Sequence, residues 1–214
     1  MKEIIKKLFV SLIRIWSRVY TMSNRNRLVG YRNKLYTLWI HNFFNKMGDH
    51  SLVCYPCSLQ GGGNKRIIIG DYTALDGHVV LGCWEKFGEQ IFNPEIVIGD
   101  YCRIGEYSQI TACNKITIGD GLLTGRFVYI GDNAHGGLSW DEANIPPSKR
   151  RLVSKGSIVI GNNVWIGDRV SIFGGVSVGD NVIIGAGSIV THDIPSNSIA
   201  VGAPAKIIKQ LKYE

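Results

Sequence analysis

"IVIGNNVWIGDRVSIFGGVSVGDNVIIGAGSIVTHDIPSNSIAVGAPAK", residues 158–206, returns every sixth residue to an aliphatic side chain: Ile160, Ile166, Ile172, Val178, Ile184 and Val190. The position four places after each is small or β-branched, as at Val164, Val170, Val176, Val182 and Ser188. Toward the N-terminus the same spacing runs through Ile118, Thr124 and Ile130, through Ile98, Ile104 and Ile110, and through Ile69, Leu75 and Leu81. Eleven of these fifteen positions are followed by Gly. A period of six fits neither an amphipathic helix nor a plain alternating strand. With Gly, Asp and Asn recurring after the aliphatic residue, it predicts one short strand and one turn per repeat, the turn residues supplying unusual backbone angles at low cost. Strands so short bury nothing alone, so successive coils must stack into a parallel β-helix, about 4.8 Å per coil, with the periodic aliphatics inside.

The chain has 214 residues and 45% hydrophobic content, enough for one domain plus an appendage. Its five cysteines are irregularly spaced and no cleavable signal peptide precedes them, which predicts a reducing, cytoplasmic setting. The net charge of +7 is unevenly placed: residues 1–48 hold ten Lys/Arg and one acid, whereas residues 49–214 hold fourteen Lys/Arg and sixteen acids. The basic character belongs to the N-terminus, and the body of the chain carries no signature of a nucleic-acid-binding surface.

Between Ile130 and Ile160 the repeat stops. Continuing the count would put Gly136, Glu142, Ser148 and Ser154 inside, a row that cannot fill an apolar core. Residues 136–156 are therefore expected to leave the coil as a loop walling a site. His135 and Trp165 each occupy the last place of a hexad, which predicts an imidazole and an indole sharing the outer surface near the loop mouth. A second break falls in "GCWEKFGEQIFNPE", where Leu81 and Ile98 are seventeen residues apart, one short of register. There Trp84 or Phe87 would floor a sugar site, or merely pack locally.

Residues 65–210, through the six-residue spacing, the long block quoted above and the histidine in the loop before it, resemble the hexapeptide-repeat acyltransferases. Within that family the chain is most like the branch of maltose, galactoside and polysaccharide O-acetyltransferases. The resemblance implies a mainly β architecture built on a left-handed parallel β-helix, assembly as a homotrimer, acetyl-CoA as co-substrate and no metal. It makes His135 the general base, which suits imidazole because it titrates near working pH and a sugar hydroxyl needs its proton taken during attack. It further implies direct transfer without an acyl-enzyme, a backbone N–H or similar donor stabilising the oxyanion. Asp132 would orient the imidazole, unless it caps a turn. On the donor side it assigns cofactor binding to Trp165, Asp168, Ala186, Thr191 and His192, with Asp168 acting through its backbone. Lys206 and Lys209 meet the coenzyme A phosphates, the alternative being solvated charges on a C-terminal helix over about residues 204–213. Ala203 stands where the family often has Asn, so no side-chain hydrogen bond is expected from it. By offset from His135, Asn114 and Glu106 join Trp84 as acceptor-binding residues.

"CYPC" at residues 54–57 has redox or zinc spacing but no second pair follows, and the five histidines offer no close couple of the kind a β-helical zinc carbonic anhydrase uses. Residues 1–22 place Ile4, Ile5, Leu8, Phe9, Leu12, Ile13, Trp16 and Tyr20 along one helical face with Lys6, Lys7, Arg14 and Arg18 mostly opposite. The longest apolar run there is too short to span a bilayer. This helix either caps the first coil or lies on an anionic membrane, or both, and "KLYTLWIHNFF" is expected to form a second helix. The expected organisation is thus a basic helical segment, residues 1–48, followed by a β-helical acyltransferase domain, residues 49–214.

The activity expected is acetyl transfer from acetyl-CoA to a saccharide hydroxyl in a polysaccharide or glycolipid precursor, in the cytoplasm or peripherally at the inner face of its membrane. The alternatives are N-acetylation of an amino sugar, O-acetylation of serine, or a non-catalytic β-helical scaffold.

Overall fold

The computed structural model describes residues 1–137 and 139–211. From Lys46 onward the chain winds around three parallel sheets that form the faces of a prism. The first face stacks Lys46–Met47, Ile67–Ile69, Glu95–Ile98, Lys115–Ile118, Ile158–Ile160 and Ser177–Val178. The second begins at Leu52–Val53 and continues through Trp165–Ile166 and Ile183–Ile184 to Ser198–Val201. The third runs from Cys57–Gln60 through Gln109–Ala112, Tyr129–Gly131 and Ser171–Phe173 to Ile189–Val190. Registers align like with like: Ile69, Ile98, Ile118, Ile160 and Val178 form one column, and Leu81, Ile110, Ile130, Ile172 and Val190 another.

All fifteen periodic positions are buried, Thr124 the most accessible at 5%. The hydroxyl of Thr124 is satisfied, accepting from the Gly105 N–H at 2.8 Å. The glycines after the aliphatic residues serve a different purpose from the one their composition suggests. Gly70, Gly99, Gly119 and Gly161 do not take the left-handed conformation. It falls two residues later, on Tyr72, Tyr101, Gly121 and Asn163. What these glycines supply is space: a Cβ on Gly70 would lie 2.6 Å from the Gly99 carbonyl carbon, and one on Gly99 would lie 2.7 Å from that of Gly119. Into the same gap comes the carboxylate or amide of the next coil. Asp100 Oδ1 accepts from Asp71 N–H at 2.7 Å, Asp120 Oδ1 from Asp100 N–H at 2.8 Å, and Asn162 Oδ1 from Asp120 N–H at 2.8 Å. Asp180 Oδ1 and Ser196 Oγ extend the ladder upward.

Two helices precede the coil. Helix α1, Lys2–Val19, buries no residue. Helix α2, Met22–Ile40, runs onto the first coil and continues as a 3₁₀ turn, His41–Phe43. Ile40 and Phe44 enter the core at 2% exposure. The Thr37 hydroxyl accepts from the Val53 N–H at 3.0 Å and shares its one hydrogen between the Asn33 carbonyl at 2.8 Å and the Val53 carbonyl at 3.1 Å, and the Tyr36 hydroxyl bridges both backbone groups of Cys57. The end of the prism is therefore capped by residues 36–44. The expectation that residues 1–22 cap it is overturned, because a cap must satisfy the first coil's backbone and apolar end, and α2 already does both.

The expected C-terminal helix is also overturned. Lys206–Gln210 is a strand, antiparallel to Ser198–Val201. The last strand of the second face offers an open edge of unpaired N–H and C=O groups, and the β-branched pair Ile207–Ile208 favours filling it over coiling. Residues 212 and 213 of that expected helix lie outside the described residues.

Gly99→Ala is expected to destabilise the fold by about 1–3 kcal/mol, the usual range for overpacking, measurable by denaturant titration. Deleting residues 1–20 should leave the melting temperature unchanged. Thr37→Val, which strips both Val53 backbone groups of their partner, should lower it by the equivalent of about 1–3 kcal/mol.

Candidate functional site

The loop leaves the prism at the corner that follows Tyr129–Gly131 and rejoins it at Ile158. Its base is a two-stranded antiparallel ladder in which Ala134 faces Val153 and His135 faces Leu152. The charged residues that interrupt the repeat hold the loop's own backbone. Glu142 Oε2 accepts from Gly137 N–H at 2.6 Å, and Arg150 Nε–H donates to the Ile145 carbonyl at 2.9 Å.

The second break forms a hairpin, Lys86–Phe87 against Gln90–Ile91, turning at Gly88 with φ of 57°. It packs beside the loop. The Phe87 ring meets the His135 imidazole edge-on, centroids 5.2 Å apart at 66°, and meets the Trp84 indole at 6.4 Å and 84°. The Gln90 amide bonds both ways to one backbone unit, donating to the Leu152 carbonyl at 3.0 Å and accepting from the Leu152 N–H at 2.8 Å. Between loop, hairpin and third face lies a depression of about 400 Å³, lined by Trp84, Phe87, Tyr129, Phe173 and Leu152 with Gln109, Thr111, Asn133 and His135. Trp84 Nε1–H donates to Thr111 Oγ1 at 3.1 Å, and Asn133 Nδ2 donates to the Thr111 carbonyl at 3.1 Å.

Two lining residues carry ionisable side chains, Tyr129 and His135. Burial, and then the charge of Asp132, push the Tyr129 phenol up, so it stays protonated. The nearby thiols are no better placed to react: burial first, then Glu85 for one and Asp132 for the other, push Cys83 and Cys113 up to about 12. They are neutral thiols, poor nucleophiles. The imidazole of His135 stands exposed in the same depression.

Asp132 does not orient that imidazole. It is 1% exposed, and its two oxygens accept from Cys113 N–H at 2.8 Å and Asn114 N–H at 2.9 Å, the turn-capping alternative and the same device as the coil ladder. Trp84 and Phe87 both line the depression beside His135. Asn114 and Glu106 lie elsewhere, Asn114 in a polar hollow with Lys65, Arg66 and Glu95, and Glu106 ion-paired with Arg126 at 3.3 Å beside α2.

On the donor side Trp165, Asp168 and Ala186 line one depression of about 330 Å³ with Gly125, Gly167 and Gly185. Asp168 Oδ1 accepts from Arg126 N–H at 2.7 Å. Thr191 and His192 follow the last strand of the third face, their Oγ1 and Nδ1 2.9 Å apart, and Lys206 and Lys209 project from the terminal strand. Trp165 and His135 do not share a surface. The last place of a hexad recurs on every face, and Trp165 belongs to the second while the loop leaves after the third. Gln90, Asn133, Tyr129 and Phe173 were not singled out from the sequence. Tyr129 and Phe173 flank the periodic Ile130 and Ile172 and so read as outward, but nothing in the spacing brings Gln90 to Leu152.

Residues 157–192 match the model of the bacterial transferase hexapeptide family, described as six repeats. The chain is 37% identical over 167 residues to an Escherichia coli (strain K12) protein assigned to lipopolysaccharide biosynthesis as the O-acetyl transferase WbbJ, covering 76% of this chain and 80% of that one. It is 42% identical over 101 residues to the galactoside O-acetyltransferase of the same organism, covering 45% of this chain and 44% of that one. The crystal structure of a hexapeptide-repeat containing acetyltransferase of Vibrio cholerae O1 biovar eltor, complexed with acetyl coenzyme A, superposes with a TM-score of 0.51 at 26% identity over 81% of this chain and 74% of that one. With its periodic core buried and its excursion carrying a histidine, the chain belongs to the hexapeptide-repeat acetyltransferases.

Proposed function

We propose that this enzyme transfers the acetyl group of acetyl-CoA to a hydroxyl of a saccharide, with His135 as general base. The observation that carries this reading is the depression itself, in which the His135 imidazole stands exposed among aromatic walls. A sugar ring presents apolar C–H faces to such walls and hydroxyls to the amides of Gln109 and Asn133. In the reaction the imidazole removes the hydroxyl proton as the oxygen attacks the thioester carbonyl, the C–S bond breaks, and the proton passes to the departing sulfur. The sugar assignments of the two E. coli relatives agree with this class of acceptor.

The donor groove at Trp165, Asp168 and Ala186 opens on a different face from His135. A homotrimer resolves the separation, since a neighbouring prism would bring its donor groove against the His135 depression of the next copy. Lys206 and Lys209 then meet the coenzyme A phosphates as cations suited to anionic groups.

Helix α1 supports peripheral attachment to an anionic membrane. Ile5, Leu8, Phe9, Leu12 and Trp16 are each at least 60% exposed, and Lys2, Lys6, Lys7, Arg14 and Arg18 flank them. Among the described residues no helix is long and apolar enough to cross a membrane. A basic amphipathic helix lies in the interface, each basic residue adding about 1 kcal/mol near the surface.

His135→Ala should cut turnover by about 10²–10⁴-fold with coenzyme A affinity unchanged, measured as free-thiol release with a panel of sugars. Retention of more than about a tenth of the rate would remove His135 from the role of base. Vesicles of anionic lipid should bind the full chain at low salt, release it as salt screens the charges, and fail to bind the chain lacking residues 1–20.

A further inference from the structure

We infer that Gln90 is a positioning residue for His135, acting through the backbone of Leu152; this rests on the reading of His135 as the base. The imidazole is exposed, and among the described residues no side-chain hydrogen bond fixes it. Its contacts are the edge of Phe87 and the ladder between Ala134–His135 and Leu152–Val153. That ladder is two residues long on each side, too short to hold itself. It stands away from the prism, paired with none of the three sheets.

Gln90 supplies the missing restraint. Sixty-two residues from Leu152 in sequence, its amide binds the N–H and the C=O of that single residue, occupying the outer edge of the strand whose inner edge pairs with His135. A primary amide presents a donor and an acceptor side by side and so imitates one more rung of sheet. Leu152 is 4% exposed beneath it. On the other strand of the same hairpin Phe87, the register partner of Gln90, touches the imidazole. The hairpin thus restrains the base twice, through the ring contact and through the strand that carries it. The one-residue break in register between Leu81 and Ile98 delivers both groups at once.

The decisive comparison uses Gln90→Met, similar in volume but without either hydrogen bond, and Gln90→Glu, which keeps the acceptor for Leu152 N–H and loses the donor. Misplacing a catalytic group by about an ångström can cost up to about 10²-fold. Gln90→Met is expected to lower kcat by about 10-fold to 10²-fold with the KM for acetyl-CoA held, and Gln90→Glu to fall between it and the wild type. In a His135→Ala background, Gln90→Met should add no further loss, because a residue acting through the imidazole has nothing left to position. A wild-type kcat in Gln90→Met overturns the assignment. So does an undiminished Gln90→Met penalty in the His135→Ala background, which would mean that Gln90 acts independently of the base. If Gln90→Met fails to fold, the same double-mutant comparison is made with Gln90→Glu. Should His135→Ala itself keep full activity, the reading of the base fails and the assignment of Gln90 falls with it, whereas a crippled His135→Ala beside a wild-type kcat in Gln90→Met overturns the assignment of Gln90 alone.

Discussion

The structure depends on how one coil is joined to the next at its corners. Each coil offers a backbone N–H at the turn, and the coil above answers with a short carboxylate or amide that reaches down to it, as Asp100 does to Asp71 and Asp120 to Asp100. A buried or half-buried turn amide without such a partner would be costly, comparable to a lost hydrogen bond. The partner fits only because the residue beneath it has no side chain. Glycine, acidic residue and aliphatic residue are thus one unit: the aliphatic residue fills the core, the glycine leaves room, and the Asp or Asn closes the joint.

A scaffold joined so regularly is stiff, and it leaves chemistry to the two places where the repeat breaks. Both breaks adjoin the third face. Each is a hairpin that cannot hold itself, and each is held by the other and by the prism: Gln90 grips Leu152, Phe87 abuts His135, Trp84 donates to Thr111. The depression between them needs no opening in the core. Functional residues on loops placed by a rigid framework are the usual arrangement, and here the framework and the loops obey different rules of construction.

That difference explains what the sequence disclosed. The core was legible because a buried column of Ile69, Ile98, Ile118 and Ile160 leaves a period that composition alone cannot mimic. The loop was legible as the place where the period would have buried Glu142. Counting also set His135 at the start of that loop, and the ladder at the loop's base carries it there. For Asp132 two readings stayed open, since the same residue type caps a coil or orients a base depending on which backbone lies above it, and the backbone of Cys113 and Asn114 decides for the cap. Trp165 was assigned to the wrong neighbourhood because six-residue counting says that a side chain points outward without saying from which of three faces. The tail was misread because an open sheet edge, invisible in local sequence, competes for Lys206–Gln210 and wins over a terminal helix.

The chemistry of the depression follows from what its walls exclude. A covalent route would need a nucleophile, and the thiols nearest by, Cys83 and Cys113, are pushed to about 12 by burial and by neighbouring carboxylates. The Tyr129 phenol is raised for the same reasons. Both effects come from the packing that makes the prism stable, and from Asp132, whose charge belongs to the coil joint rather than to the site. The scaffold therefore keeps these acidic groups protonated around a depression in which the His135 imidazole stands exposed. On the proposed reading, with His135 as the base, rate comes from holding the acceptor oxygen, the thioester and the base in line, and catalytic power then depends on how firmly the loop that carries His135 is tied down.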